Sequence, residues 1–166
     1  LWSFAVAGSS IWGTSVVGAD DTIYVATGDT GVVHAVSADG SERWQYAAGS
    51  AISAPPAIGE DGSVYVGTDE GATSRVIALN PDGTEKWSSP FALADSTRSS
   101  VNFGVDGSVY ARDYTGRLFA IDSADGSERW EITLGPSSGA SPVIAAAGTL
   151  YLGSFNGSAA ARGVVV

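Results

Sequence analysis

Short runs that alternate apolar and polar residues recur along the whole chain, and turn residues separate them. Alternation with a period of two indicates half-buried β-strands. The clearest runs each contain a tyrosine between two apolar residues, and they are Thr22-Ile23-Tyr24-Val25, Ser63-Val64-Tyr65-Val66, Ser108-Val109-Tyr110-Ala111 and Thr149-Leu150-Tyr151-Leu152. The pattern therefore predicts an all-β protein with no helix longer than a single turn.

Each of these runs is predicted to be the second strand of a four-stranded unit. Asp61-Gly62 and Asp106-Gly107 precede two of them, and Asp-Gly between alternating runs is a strong hairpin signal. The first strands are predicted at Gly13–Val17, Ala54–Ile58, Ser99–Phe103 and Ala140–Ile144, and the third at Val32–Val36, Arg75–Leu79, Arg117–Ile121 and Arg162–Val166. The fourth strands are expected to carry the tryptophans.

The tryptophans set the length of the unit. Trp2, Trp44, Trp87 and Trp130 are separated by 42, 43 and 43 residues. The last three tryptophans end similar segments, Ala38–Trp44, Pro81–Trp87 and Ala124–Trp130. Strand-rich repeats of this length are typical of β-propeller blades. We expect a single β-propeller domain over residues 1–166, with four four-stranded blades of about 43 residues. The expected boundaries are about 9–47, about 51–89, about 98–132, and about 139–166 together with 1–4.

The fourth unit contains three predicted strands, and the segment Leu1–Phe4 resembles the tryptophan strand that it lacks. An N-terminal strand that completes the C-terminal blade would remove the exposed sheet edges. Three arrangements satisfy this pattern: a self-closed four-bladed ring, an eight-bladed ring formed by two chains, and a slice of a longer propeller. The chain starts at Leu1 and contains no Met, so we expect a processed chain or a part of a longer protein.

The third unit carries a motif of a known family. The tryptophan-docking motif of pyrroloquinoline-quinone-type propeller repeats is Ala-x-Asp-x-x-Thr-Gly-x-x-x-Trp. The third unit contains a segment that resembles it, Ala120-x-Asp122-x-x-Asp125-Gly126-x-x-x-Trp130. The first two units resemble a variant one residue shorter, Ala35–Trp44 and Ala78–Trp87. The resemblance implies that Trp2, Trp44, Trp87 and Trp130 are structural docking residues between blades.

Two functional classes follow from this resemblance. The family includes quinone-dependent dehydrogenases, which hold the quinone over a calcium ion, and non-catalytic propellers such as the outer-membrane assembly lipoprotein. Adjacent cysteines occur in many of the dehydrogenases, and this chain has no cysteine. We therefore expect a non-enzymatic scaffold or binding module for protein–protein interaction, without a cofactor. The alternative is a fragment of a quinone-dependent dehydrogenase-type propeller.

Charge and composition restrict the partners. The net charge of −10 disfavours binding to nucleic acid or to an anionic membrane. The chain contains no run of 18 apolar residues, so no membrane insertion is expected. We expect a protein partner or self-association, in an extracellular, cell-surface or periplasmic location. The sequence does not determine whether a small molecule binds.

Candidate binding residues lie where the repeat is broken. Trp12, Ser53, Arg98 and Gly139 occupy equivalent positions at the entrances to the first strands. Trp and Arg are the residues that most often anchor interfaces, so a binding site is expected at the Trp12–Arg98 end. The loops and turns expected at the same end supply further candidate binding residues, namely Phe91, Arg112, Tyr114, Phe155 and Asn156. A lone histidine on a strand is usually a packing or rim residue, so we predict no catalytic role for His34, and we predict no metal site.

Overall fold

The computed structural model describes residues 1–6, 9–134, 141–153 and 161–164. These residues form fifteen β-strands in four antiparallel sheets, together with one short 3-10 turn at Gly71–Thr73. The prediction of an all-β chain is therefore confirmed. None of the described residues belongs to a helix long and apolar enough to cross a membrane.

Each sheet corresponds to one sequence repeat, and its strands follow one another in chain order. The first sheet contains β1 (Val16–Val17), β2 (Ile23–Ala26), β3 (Val32–Val36) and β4 (Glu42–Ala47). The second contains β5 (Ala57–Ile58), β6 (Val64–Gly67), β7 (Arg75–Leu79) and β8 (Phe91–Ala92). The third contains β9 (Asn102–Phe103), β10 (Ser108–Arg112), β11 (Arg117–Asp122) and β12 (Glu128–Thr133). The fourth has three described strands, β13 (Val143–Ile144), β14 (Leu150–Gly153) and β15 (Ala161–Val164).

The first strand of each sheet is shorter than predicted, because only its last two residues join the ladder. In the second unit the preceding residues include Pro55 and Pro56, which have no N–H to donate. The preceding segments contact the neighbouring unit instead. Ser100 donates its backbone N–H to Ser141 Oγ at 3.1 Å and its hydroxyl to the Pro55 carbonyl at 3.2 Å.

The second sheet corrects the prediction that every fourth strand carries a tryptophan. Its fourth strand is Phe91–Ala92, and Trp87 lies in a bend before it. Lys86 still donates its N–H to the Ala78 carbonyl at 2.8 Å, but the chain then leaves the sheet and returns after Pro90. The second sheet therefore extends to Ala92.

Three apolar cores lie between successive sheets. Tyr24 of the first sheet packs in the first core with Val64 and Val66 of the second. Tyr65 packs in the next core with Val109 of the third sheet, and Tyr110 packs in the last core with residues of the fourth. The strands β6 and β10 thus present their tyrosines to the following sheet and their valines to the preceding one.

The indoles link each unit to the following one. Trp44 donates its Nε1–H to the Pro81 carbonyl at 2.9 Å, and Trp87 donates to the Ser123 carbonyl at 3.1 Å. A Cβ on Gly83 would lie 2.7 Å from the Trp44 ring, so only glycine leaves room for the indole. Trp87 is buried, whereas Trp44 and Trp130 are partly buried.

The N-terminal segment differs from the prediction. Leu1–Phe4 forms no strand, and within the described part of the chain the fourth sheet has no fourth strand. Trp2 instead donates to the Ala38 carbonyl at 2.7 Å, and the Phe4 ring lies 5.6 Å from the His34 ring. The segment thus covers the first sheet as an outer strand of a preceding unit would. Val166, its predicted strand neighbour, lies outside the described residues.

Candidate functional site

The predicted site lies where the loops before the first strands meet the loops after the second strands. In three units, a backbone N–H after the second strand donates to a carbonyl of the entrance loop. These hydrogen bonds join Gly28 to Ser10 (2.7 Å), Asp69 to Ala51 (2.8 Å) and Tyr114 to Ser96 (3.0 Å). Trp12, Ser53 and Arg98 each follow the bonded carbonyl by two residues, so the same backbone frame positions all three side chains.

Within each unit, the entrance residue contacts the residue that makes this backbone bond. Trp12 lies against Gly28, where a Cβ would be 2.2 Å from the indole. Ser53 Oγ donates to Asp69 Oδ2 at 2.5 Å. The guanidinium carbon of Arg98 lies 5.3 Å from the centre of the Tyr114 ring. The three contacts differ in chemistry but occupy the same place in the repeat.

The structure brings Trp12 and Arg98 to one open depression of about 460 Å³, which Ala51, Ser53 and Asp69 complete. We call it the Trp12–Arg98 depression. Trp12 remains 52 % exposed although one side of its ring packs on Gly28. Asp69 connects two units, because its Oδ2 accepts from Ser53 and from Arg98 Nε at 3.1 Å.

The electrostatics of the depression centre on Asp69. Burial alone would raise the pKa of this carboxyl group, but hydrogen bonds from Ser53 and Ser96 and the Arg98 charge together hold it below its ordinary value. Asp69 is therefore ionised at neutral pH and fixes the Arg98 side chain through Nε. Among the described residues no acceptor is bonded to the Arg98 Nη groups, and the Arg98 side chain is 56 % exposed.

The other predicted site residues do not line the depression. Phe91 packs against Phe119, with 5.3 Å between ring centres, in the core between the second and third sheets. Arg112 is buried and donates to the Gly153 carbonyl of the fourth sheet. Tyr114 lies beside the depression through its contact with Arg98. Phe155, Asn156 and Gly139 lie outside the described residues.

Asp69 organises the depression, although it was not among the residues predicted to bind. In the sequence, Asp29, Asp69 and Asp113 each follow a second strand and precede a glycine, as residues of a turn do. In the structure Asp29 accepts the Ser10 N–H at 3.0 Å, and Asp113 accepts from Thr115 and Arg117 of its own turn. Counting from the repeated tyrosine would have identified Gly28, Asp69 and Tyr114 as the equivalent set.

No three His, Cys, Asp or Glu side chains among the described residues lie close enough together to hold a metal ion. His34 lies on β3, where its Nδ1 is 2.7 Å from Glu42 Oε1. The depression offers the exposed Trp12 ring and the Arg98 guanidinium group, which suit binding by contact and hydrogen bonding.

The chain matches the family model described as outer membrane protein assembly factor BamB over residues 1–164. The crystal structure of BamB from Moraxella catarrhalis is similar over 96 % of this chain and 48 % of that one, with a TM-score of 0.77 and 23 % identity. A quinohemoprotein alcohol dehydrogenase from Pseudomonas putida HK5 is similar over 90 % of this chain and 29 % of that one, with a TM-score of 0.69 and 20 % identity. At these identities the likeness concerns the fold alone.

A curated relative is the serine/threonine-protein kinase AfsK of Streptomyces griseus. It is 34 % identical over 126 residues, which are 69 % of this chain and 15 % of the kinase. The chain thus spans about half the length of the BamB structure and a small part of the kinase.

Proposed function

Because the chain belongs to the family described as outer membrane protein assembly factor BamB, we propose that it is a non-enzymatic, extracytoplasmic propeller module that binds a protein partner. The name of the family supports an interaction role and a location outside the cytoplasm. The kinase and the dehydrogenase match this chain over only 15 % and 29 % of their own lengths, so their activities are not part of this proposal.

The observation that carries this proposal is the Trp12–Arg98 depression. Tryptophan and arginine are both enriched among the residues that contribute most to protein–protein binding, and the depression presents one of each. The Arg98 Nη groups suit a carbonyl or carboxylate of the partner, while the Trp12 ring suits an adjacent apolar side chain. The proposed ligand is therefore an extended segment of a protein with an apolar residue next to a hydrogen-bond acceptor.

A phage-displayed library of random peptides is a suitable probe. The chain is used to enrich peptides, and synthetic copies are titrated while the tryptophan fluorescence is recorded. Enriched peptides should bind the unchanged chain and lose at least tenfold in affinity to the double variant Trp12→Ser/Arg98→Ser, about 1.4 kcal/mol or more. Binding that survives the double change would contradict the proposal.

A matched control separates loss of the site from loss of the fold. Val105→Ser/Arg43→Ser also removes an exposed apolar residue and an arginine, but neither side chain lines the depression. This control should retain peptide binding. Both double variants should keep a melting temperature close to that of the unchanged chain.

The enzymatic alternative has its own measurement. Pyrroloquinoline quinone is added together with calcium, and the melting temperature is followed. We expect no shift, because a ligand stabilises only a folded state that binds it. A rise in the melting temperature that requires both additions would favour the dehydrogenase-type alternative.

A further inference from the structure

A second concave surface lies between the second and third sheets, at the end where the strands β6 and β10 begin. The Trp12–Arg98 depression lies at the other end, where these strands stop. The second surface is a groove with a volume of about 300 Å³, and we call it the hairpin groove. The hairpin turns before β6 and β10 line it, through Gly59, Glu60 and Asp61 of the second unit and Gly104, Val105 and Gly107 of the third. Both of its walls therefore come from inner units of the chain.

The floor of the hairpin groove is apolar. The Phe103 ring lies against Tyr65, with 5.2 Å between ring centres, and both residues line the groove. Val105 also lines it and is 81 % exposed. By their place in the repeat, Phe103 and Val105 correspond to Ile58 and Glu60 of the second unit. The third unit thus places two bulky apolar side chains at this end, where a partner can cover them.

The wall from the second unit is acidic. Asp61 Oδ2 accepts a hydrogen bond from Lys86 Nζ at 2.6 Å, so the charge of Asp61 is balanced within its own unit. Glu60 is exposed and forms no ion pair among the described residues. The groove therefore offers one uncompensated carboxylate together with an apolar floor. That combination fits an apolar side chain with a cation next to it.

The acidic character extends over this whole end of the molecule. Its turns and the strand starts that follow them contain twelve acidic and three basic residues, a net charge of −9 out of the chain's −10. These segments are 18–22, 37–43, 59–63, 80–86, 104–108 and 122–129. The three basic residues already bond aspartates of their own units: Arg43 bonds Asp20, Lys86 bonds Asp61 and Arg129 bonds Asp106. A field of this sign attracts a basic partner and repels a second copy of this acidic chain.

We propose that the hairpin groove binds a basic segment of a second protein. An apolar side chain of that segment packs on Phe103 and Val105, and a lysine or arginine next to it pairs with Glu60. The occupant is a protein segment and not a free amine, because the acidic surface extends over three units and exceeds a groove of about 300 Å³. Apolar contact provides affinity, and charge speeds association and selects the partner.

This proposal does not rest on the peptide site at the loop end. The Trp12–Arg98 depression and the hairpin groove share no lining residue. With both sites occupied, one module would join two different proteins.

Two short fluorescein-labelled peptides of equal charge test the chemistry, one alternating lysine with leucine and the other alternating lysine with serine. Fluorescence anisotropy measures their binding in about 0.05 M and about 0.15 M salt. The lysine–leucine peptide should bind at least about tenfold more tightly, because burial of leucine is favourable, and both peptides should bind more weakly at the higher salt. No binding of the lysine–leucine peptide, or equal binding of both peptides, would overturn the proposal.

Two matched pairs of variants identify the contacts. Glu60→Gln and Asp21→Asn each remove one exposed hairpin carboxylate, and only Glu60 lines the groove. Val105→Ser and Val17→Ser each remove one exposed valine, and only Val105 lines the groove. Glu60→Gln and Val105→Ser should each weaken binding of the lysine–leucine peptide by at least about threefold, and the two controls by less than about twofold. Equal losses within either pair would contradict binding in the groove.

Amide chemical shifts locate the peptide on the chain. In the nitrogen-15-labelled protein, the lysine–leucine peptide should shift the amide signals of Gly104 and Gly107 and leave that of Gly28 unchanged. The double variant Trp12→Ser/Arg98→Ser should keep its affinity for this peptide, so failure of this proposal and failure of the loop-end site are distinguishable. A shift at Gly28 without shifts at the two groove glycines would place the peptide in the Trp12–Arg98 depression and overturn the proposal.

Discussion

At the scale of single residues, the turn aspartates have a structural role that charge counting does not show. Asp20, Asp61 and Asp106 stand in the first hairpin turn of their units. In the structure each accepts a bond from the basic residue before the tryptophan: Arg43 at 2.7 Å, Lys86 at 2.6 Å and Arg129 at 3.3 Å. The bonds join the outer strand region to the inner hairpin across each sheet.

The docking tryptophans should contribute more to stability than the exposed one. Trp87 is 3 % exposed and packs on Tyr65, so Trp87→Ala should lower the free energy of unfolding by about 3–5 kcal/mol. Trp12→Ala, at a residue that is 52 % exposed, should lower it by less than about 1 kcal/mol. Urea titrations measure both values. A loss below about 1 kcal/mol for Trp87→Ala would mean that docking contributes little.

The turn glycines allow steric contact and backbone strain to be separated. Gly83 has φ +87° and lies under the Trp44 indole, whereas Gly148 has φ +83° with nothing within 4 Å of a built Cβ. Gly148→Ala should cost only the strain of a left-handed alanine, roughly 1–2 kcal/mol. Gly83→Ala should cost at least about 1 kcal/mol more, because the indole must move. Equal losses in urea unfolding would exclude the steric contribution.

At the scale of strands and loops, the sequence predicted the second and third strands because their alternation is strong and local. It did not predict the bend around Trp87 or the two-residue first strands, because neighbouring units determine which backbone groups are available for pairing. Trp12 and Arg98 were identifiable as departures from the repeat. Their contacts with Gly28, Asp69 and Tyr114 were not, since these depend on how two loops approach each other.

The hairpin of the first sheet should lose stability in acid. Hydrogen bonds from Thr22 and the Arg43 guanidinium lower the pKa of Asp20 from 3.8 to about 2. A carboxyl group whose pKa is lower in the folded state stabilises the fold above its unfolded pKa and loses this effect as the pH falls through the folded value. The difference in unfolding free energy between the unchanged chain and Asp20→Asn should therefore be constant above about pH 5 and shrink towards pH 2.

Urea unfolding at a series of pH values measures this difference. The exposure of the pair keeps its size below about 1 kcal/mol. Asp21→Asn is the matched control, because in the described structure the Asp21 carboxylate accepts no hydrogen bond. Its difference from the unchanged chain should not follow this pH dependence. A difference for Asp20→Asn that grows in acid would contradict the assignment.

At the scale of the whole molecule, stability depends on covering the faces between sheets. The N-terminal residues show this, because Trp2, Phe4 and Val6 cover a face of the first sheet without belonging to a strand. Deleting residues 1–4 should expose Ile23 and Val25, lower the melting temperature and cause aggregation. Deleting Leu1 alone should have little effect, since this residue is fully exposed. A four-residue deletion that leaves melting and solubility unchanged would contradict this role.

The paired positions at the loop end have a consequence for evolution and engineering. In three units the same backbone frame holds a pair of contacting residues at the loop end, and the pairs are Trp12 with Gly28, Ser53 with Asp69, and Arg98 with Tyr114. The surface that each of these units presents at the loop end is therefore set by two residues together. Exchanging both members together would transplant the surface of one unit to another, whereas exchanging one member alone would leave a clash or an unmatched charge. Binding specificity in such a chain can therefore change one unit at a time, while the interfaces that hold the sheets together stay the same.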